Sequence, residues 1–236
     1  DGLRLFLAYM MAHPGKKLLF MGSEFGQFIE WNYKQGLDWL LLDYDKHRQT
    51  LEFSRELNKF YKEHSELWEI DYSWDGFQWI SSEDNCNSVI AFRRMNKKGE
   101  ELIAVFNWTP NSFDSYRIGV PKNGTYKVVF DTSLEKFGGD KHRMSGSYKS
   151  KKGNIHGYEQ YIDLKLHGLS AIFLKKTADK QPVKKDKPVK AEKEVAKPVK
   201  QQAVKTEVKE EKPVQEKSKQ TPPAKASKPN SKKSKR

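Results

Sequence analysis

Leu3 to His13 (LRLFLAYMMAH) sets Leu3, Phe6, Leu7 and Met10 at helical spacing and leaves almost no polar side. A helix that is apolar all round has to be covered on every side. Pro14-Gly15 ends it, because proline disfavours a helical residue before it and glycine permits the turn. Lys17 to Met21 (KLLFM), closed by Gly22, then reads as a short strand buried on both faces, the kind found in parallel sheets. A buried helix feeding a buried strand is half of a βαβ repeat. Neither element can cover its own apolar surface, so their partners are expected N-terminal to Asp1. The opening Asp1-Gly2-Leu3-Arg4 has no initiator Met and no basic stretch ahead of a long apolar core, which excludes a signal peptide here.

Glu24 to Leu42 is aromatic without a sustained period and reads as a long ordered loop with short turns. Asp45 to about Glu66 is the clearest helix, with Asp45 as its expected N-cap and Leu51, Ser54, Leu57 and Tyr61 on one stripe. Strand signals follow at Phe77–Ser81, Ser88–Arg94, Glu101–Asn107, Ser115–Val120, Thr125–Asp131, Tyr158–Leu164 and Ser170–Lys175. Turn formers divide them: Asp84-Asn85, Lys98-Gly99, Pro110-Asn111, Asn123-Gly124 and Gly138-Gly139. This pattern predicts an antiparallel sandwich of about 100 residues. Glu135 to Gly157, rich in Gly, Ser and Lys, is expected to be a long exposed loop.

Charge separates the last part from the rest. The chain of 236 residues carries a formal net charge of +13, yet positions 1–177 hold 25 basic and 23 acidic residues and are nearly neutral. From Ala178 onward there are 19 basic and 8 acidic residues, 7 prolines and no aromatic residue, with Lys-Pro-Val recurring at Lys187, Lys197 and Lys212. Such a composition cannot build a core, so a disordered tail is expected. A basic folded face for nucleic acid is disfavoured, and the tail, with acids interspersed and no ring to stack on bases, reads as a solvated appendage. The one cysteine, Cys86, cannot close an intrachain disulfide, and no apolar run reaches the 18 or so residues of a membrane span. The expected location is the cytoplasm, with no membrane contact.

The stretch from His13 through Lys17-Leu18-Leu19-Phe20-Met21-Gly22-Ser23-Glu24-Phe25-Gly26-Gln27 resembles the last barrel strand of bacterial glycogen branching enzymes, 1,4-α-glucan branching enzymes of the α-amylase superfamily. The likeness runs on through Glu30-Trp31-Asn32, Leu37-Asp38-Trp39, Arg55-Glu56-Leu57-Asn58, Gly76-Phe77-Gln78-Trp79-Ile80, Ser88 to Arg94 and Val105-Phe106-Asn107-Trp108-Thr109-Pro110. It covers about Leu3 to Lys175. Two features depart from it: His167-Gly168 stands where many relatives carry prolines, and the Lys-Pro tail has no counterpart.

The resemblance implies an α/β barrel remnant, the last helix and strand of a TIM-type barrel, followed by an all-β antiparallel sandwich and the disordered tail. Four parts follow: residues 1–44 (barrel end and junction loop), 45–67 (junction helix), 68–177 (all-β domain) and 178–236 (tail). It also implies an enzyme that cleaves α-1,4-glucan through a covalent glycosyl-enzyme and passes the segment to a 6-hydroxyl, with α-1,4-glucan or glycogen as partner. Barrel chemistry sits at the C-terminal ends of strands, and retaining transfer needs two carboxyl groups about 5–5.5 Å apart. No carboxylates of positions 1–177 fall in the family's catalytic motifs, so no catalytic residue is expected here, and none of cofactor or metal. The six histidines are scattered without ligand spacing.

Three residues are candidates for substrate binding. Glu24 and Gln27 follow a barrel strand, where they can line a glucan cleft or brace the loop through a buried arginine or backbone amides. Trp31 can stack on a sugar ring or simply pack. Trp74, Phe77 and Trp79 are open to the same two readings, and the alternation of Phe77 and Trp79 about Gln78 favours a pair facing the core. Cys86 is expected to be an exposed thiol in a hairpin turn. The rival functions are an α-glucan hydrolase of the same superfamily and a glucan-binding β-sandwich module.

Overall fold

The computed structural model describes residues 1–177 apart from Glu30, Arg143 and Ser145. The expectations for 178–236 lie outside the described residues. Two helices, α1 (Gly2–Ala12) and α2 (Asp45–Glu63), precede nine strands. These are β1 (Phe77–Asp84), β2 (Val89–Met95), β3 (Glu101–Asn107), β4 (Phe113–Val120), β5 (Thr125–Asp131), β6 (Ser147–Lys149), β7 (Lys151–Ile155), β8 (Tyr158–Leu166) and β9 (Ser170–Lys176). One sheet has the order β1-β2-β3-β9-β5-β6, the other β4-β8-β7, and every pairing between named strands is antiparallel.

Side chains alternate across a strand, so a sheet covered on both faces reads as an unbroken apolar run. That is how β3 and β9 are built. Leu102, Ala104 and Phe106 of β3, with Ala171 and Phe173 of β9, enter a core closed by Leu5 and Ala8 of α1 and Phe53, Leu57 and Phe60 of α2. Ile103, Val105, Ile172 and Leu174 point the other way, onto Ile118, Val120, Ile162 and Leu164 of the smaller sheet. The predicted sandwich is therefore present with a helical layer on its outer face.

Several expectations are corrected. Lys17 to Met21 forms no strand: residues 16–20 carry no regular structure and Leu18 is 85% exposed. A strand satisfies its backbone only through a neighbour, and residues 1–177 supply none beside it. The barrel-remnant expectation thus has a helix but no strand in residues 1–44. Likewise α1 buries one side, through Leu5, Leu7, Ala8 and Met11, and leaves Phe6 57% exposed.

Helix α2 ends at Glu63, and its N-cap is Tyr44, whose extended backbone precedes the first turn. Asp45 lies inside that turn, paired with Arg48, where its charge also complements the helix dipole. Its buried stripe is Phe53, Ser54, Leu57 and Phe60, while Leu51 and Tyr61 are only half-buried.

The stretch Glu135 to Gly157 is not one loop. It holds a buried Phe137 and the short strands β6 and β7, which borrow their conformation from pairing with β5 and β8 rather than from apolar residues of their own. At the departure from the family pattern, the Gly168 amide donates to Ser112 Oγ at 3.1 Å, and a Cβ there would stand 2.0 Å from the Pro110 carbonyl oxygen. A proline could offer neither the donor nor the space.

Candidate functional site

A buried arginine organises the end of α1. Arg94 shares the strand face of Phe92, so the two-residue period carries it inward, and it is fully buried. Its Nη2 donates to Asp71 Oδ1 at 2.8 Å, Nη1 to the Ala12 carbonyl at 2.7 Å and Nε to the Gly76 carbonyl at 3.0 Å. One side chain thus caps the last turn of α1, pins the turn before β1 and neutralises a buried carboxylate. Lys17 lies beside this cluster, donates to the His13 carbonyl and sits 5.5 Å from the Tyr61 ring centroid. Burial, opposed in part by nearby Asp71, holds its ammonium down to about 8.

The sequence reading missed this centre. The signal was available: two adjacent arginines in an apolar strand must face opposite ways, and the one in step with Phe92 is inside.

The loop of residues 22–44 is held by local bonds. Gly22 (φ 84°) turns the chain so that the Gln27 amide donates to its carbonyl at 2.9 Å. The Gln27 side chain accepts from the Asp38 amide at 2.9 Å through Oε1 and donates to the Ile29 carbonyl at 2.6 Å through Nε2. Glu24 is half-buried and tied to α2 through its main-chain carbonyl, which accepts from Ser54 Oγ at 2.8 Å. Phe25 is fully buried and stacks on Trp39 at 5.3 Å.

Trp31 is 73% exposed, lies over Phe20 at 4.2 Å and has a positive φ of 61°. A left-handed backbone is uncommon for a bulky residue. The three candidates therefore share one loop, with Gln27 spent on bracing it and Trp31 presented outward. Cys86 is exposed in the turn between β1 and β2, as expected. No group of three His, Cys, Asp or Glu side chains that could hold a metal occurs among the described residues.

At the start of β1 the expected inward pair divides. Phe77 is buried, whereas Trp79 stays 38% exposed, with the rings edge-to-face at 5.0 Å. A register shift between Trp79 and Ser81 breaks the simple alternation.

Residues 79–177 match the model of the alpha amylase C-terminal all-beta domain. The chain is 51% identical over 174 residues to the 1,4-alpha-glucan branching enzyme GlgB of Halothermothrix orenii, and 43% identical over 192 residues to GlgB 1 of Clostridium perfringens strain 13. It is 45% identical over 176 residues to GlgB of Francisella philomiragia. These matches take in 73%, 78% and 74% of this chain, and the chain spans 28% of the length of each relative.

Two solved structures share the fold at a TM-score of 0.50. One is a protein of Thermus thermophilus, 17% identical, matching 74% of this chain and 31% of its own. The other is the catalytic module of the pneumococcal glycogen-degrading virulence factor SpuA, 15% identical, matching 75% and 31%. The chain thus carries the alpha amylase C-terminal all-beta domain, and over about three quarters of its length it is similar to proteins named 1,4-alpha-glucan branching enzyme, of which it spans 28%.

Proposed function

We propose that this chain serves a 1,4-α-glucan branching enzyme of glycogen biosynthesis, in the cytoplasm, that cleaves an α-1,4-glucan and transfers the segment to a 6-hydroxyl. The observation that carries this reading is the identity of 51% over 174 residues to a protein of that name. The two carboxyl groups that retaining transfer requires lie on residues outside this chain. Residues 1–44 close the catalytic barrel, and 45–67 join it to the all-β domain of 68–177.

Within the loop, Gln27 acts as a positioning residue. Its two amide bonds fix the distance between residues 27–29 and Asp38, and so the placing of Trp31, whose exposed ring stacks on glucan. Glu24 is neither acid nor base in this reading and anchors the loop to α2.

Taken alone, the chain is inactive. The test mixes purified 1–236 with amylose: iodine absorbance stays constant and no α-1,6 linkages appear. A fall in absorbance, or new branches, would contradict the assignment of the carboxylates to residues elsewhere. A rise in reducing ends would favour the hydrolase.

A further inference from the structure

We propose that Asn123 is a modification site, converting through a succinimide to aspartate and isoaspartate, and that Ser150 is the latch that sets the rate. Asn123-Gly124 is the one Asn-Gly pair of the 236-residue sequence. It ends the turn between β4 and β5, where the chain passes from the smaller sheet to the larger. Ser150 stands between β6 and β7, where the chain crosses back. Thr125 pairs with Lys149, so the two crossings lie side by side.

Gly124 has a φ of 150°, a conformation that a side chain would make costly. The fold thus keeps the neighbour that leaves an asparagine most reactive, since glycine has no Cβ to obstruct its own nitrogen. In the first step the Gly124 amide gives up its proton and its nitrogen attacks Cγ of Asn123. The Cγ–Nδ2 bond breaks, Nδ2 takes up a proton and leaves as ammonia, and a five-membered succinimide closes. Water then opens either ring carbonyl. One opening gives aspartate in the ordinary main chain; the other gives isoaspartate, whose main chain runs through Cβ and Cγ.

One hydroxyl holds both reacting groups. The Gly124 amide donates to Ser150 Oγ at 2.9 Å, and Ser150 Oγ donates to Asn123 Oδ1 at 2.8 Å. A hydroxyl can accept and donate at once. The Ser150 amide donates in turn to the Gly124 carbonyl at 2.9 Å, which fixes the serine in place. Ser150 is buried, so water competes weakly for these bonds. The proton that must leave is therefore engaged, and the side-chain amide that must turn towards the nitrogen is tied down. Isoaspartate would lengthen the main chain by one carbon beside the Thr125–Lys149 pair, and either product sets a carboxylate against Ser150.

The experiment holds the whole 236-residue chain in warm, mildly alkaline buffer and follows the peptide that contains residue 123, by mass and by enzymatic methylation of isoaspartate. Wild type is expected to convert more slowly folded than in urea. Ser150→Ala, kept folded by far-UV circular dichroism, should convert at least about threefold faster than wild type, the worth of one lost hydrogen bond. Hydrogen exchange at the Gly124 amide reads the latch without any variant, because exchange and cyclisation both need that N–H released; strong protection is expected.

Equal rates for folded wild type and Ser150→Ala would overturn the latch, as would a Gly124 amide that exchanges as fast as in urea. An Asn123 that stays unchanged in the unfolded chain would overturn the site. Aspartate without isoaspartate would mean direct hydrolysis of the side chain and would overturn the succinimide route.

Discussion

Phe92, Phe106 and Phe173 of the large sheet are fully buried against the helices, whereas Leu18, Phe28, Trp31 and Leu40 of residues 16–44 face outward. Both regions are apolar, and only one of them has its partners in the described residues. In the sheet each strand finds a hydrogen-bonding neighbour, and each face finds a second layer. In residues 16–44 the apolar run KLLFM has no strand to pair with, and its backbone takes no regular form. Hydrophobic pattern states what a segment can bury; pairing decides whether it becomes an element.

Substitutions that separate the two regions should differ most in stability. Phe106→Ala removes a fully buried ring and is expected to cost about 3–5 kcal/mol, seen as a large drop in the urea midpoint. Asp71→Ala leaves the buried Arg94 guanidinium unpaired and should cost about 3 kcal/mol. Adding Arg94→Met should recover much of that loss, and a double variant no better than the single would mean that the pair matters for more than neutralisation. Gly168→Ala forces a Cβ towards the Pro110 carbonyl oxygen and should cost about 1–3 kcal/mol. Leu18→Ala, at a side chain in water, should shift stability by less than about 0.5 kcal/mol. A large loss there would show that residues 16–44 already pack within this chain.

The smallest expected effect is one of pH. Folding holds the Lys17 ammonium down to about 8, against about 10.4 in an unfolded chain. Between these values the unfolded chain binds more protons, so this group makes the fold more stable as pH rises through that window, and its full penalty applies below about 8. Lys17 is partly solvated, so the effect is small. In urea midpoints at pH 7 and pH 10, wild type should gain on Lys17→Met at the higher pH. No relative gain would refute the shift.

Much of the sandwich was readable because its strands alternate or run apolar between turn formers: Glu101–Asn107 and Thr125–Asp131 have the bounds the pattern predicts. Strands β6 and β7 were not readable, since Ser-Tyr-Lys and Lys-Lys-Gly-Asn-Ile contain no apolar period and depend on the edges that β5 and β8 supply. Helix α2 was found, but its stripe took in the half-buried Leu51 and Tyr61 in place of Phe53 and Phe60, which turn inward together with Ser54 and Leu57. Of the candidate site, the shared loop of Glu24, Gln27 and Trp31 followed from their nearness in sequence. The tertiary bonds of Arg94 to residues 12, 71 and 76 bridge separations that no local pattern encodes.

The likeness to branching enzymes and the apolar face of residues 16–44 support the proposal that this chain completes a branching enzyme whose remaining structure covers that face. The direct measurement replaces the matching residues of the Halothermothrix orenii enzyme with residues 1–177 and assays the chimera on amylose. The account predicts a falling iodine absorbance, new α-1,6 linkages and conserved reducing ends. A folded chimera that leaves amylose unchanged, or that only releases reducing ends, would contradict it.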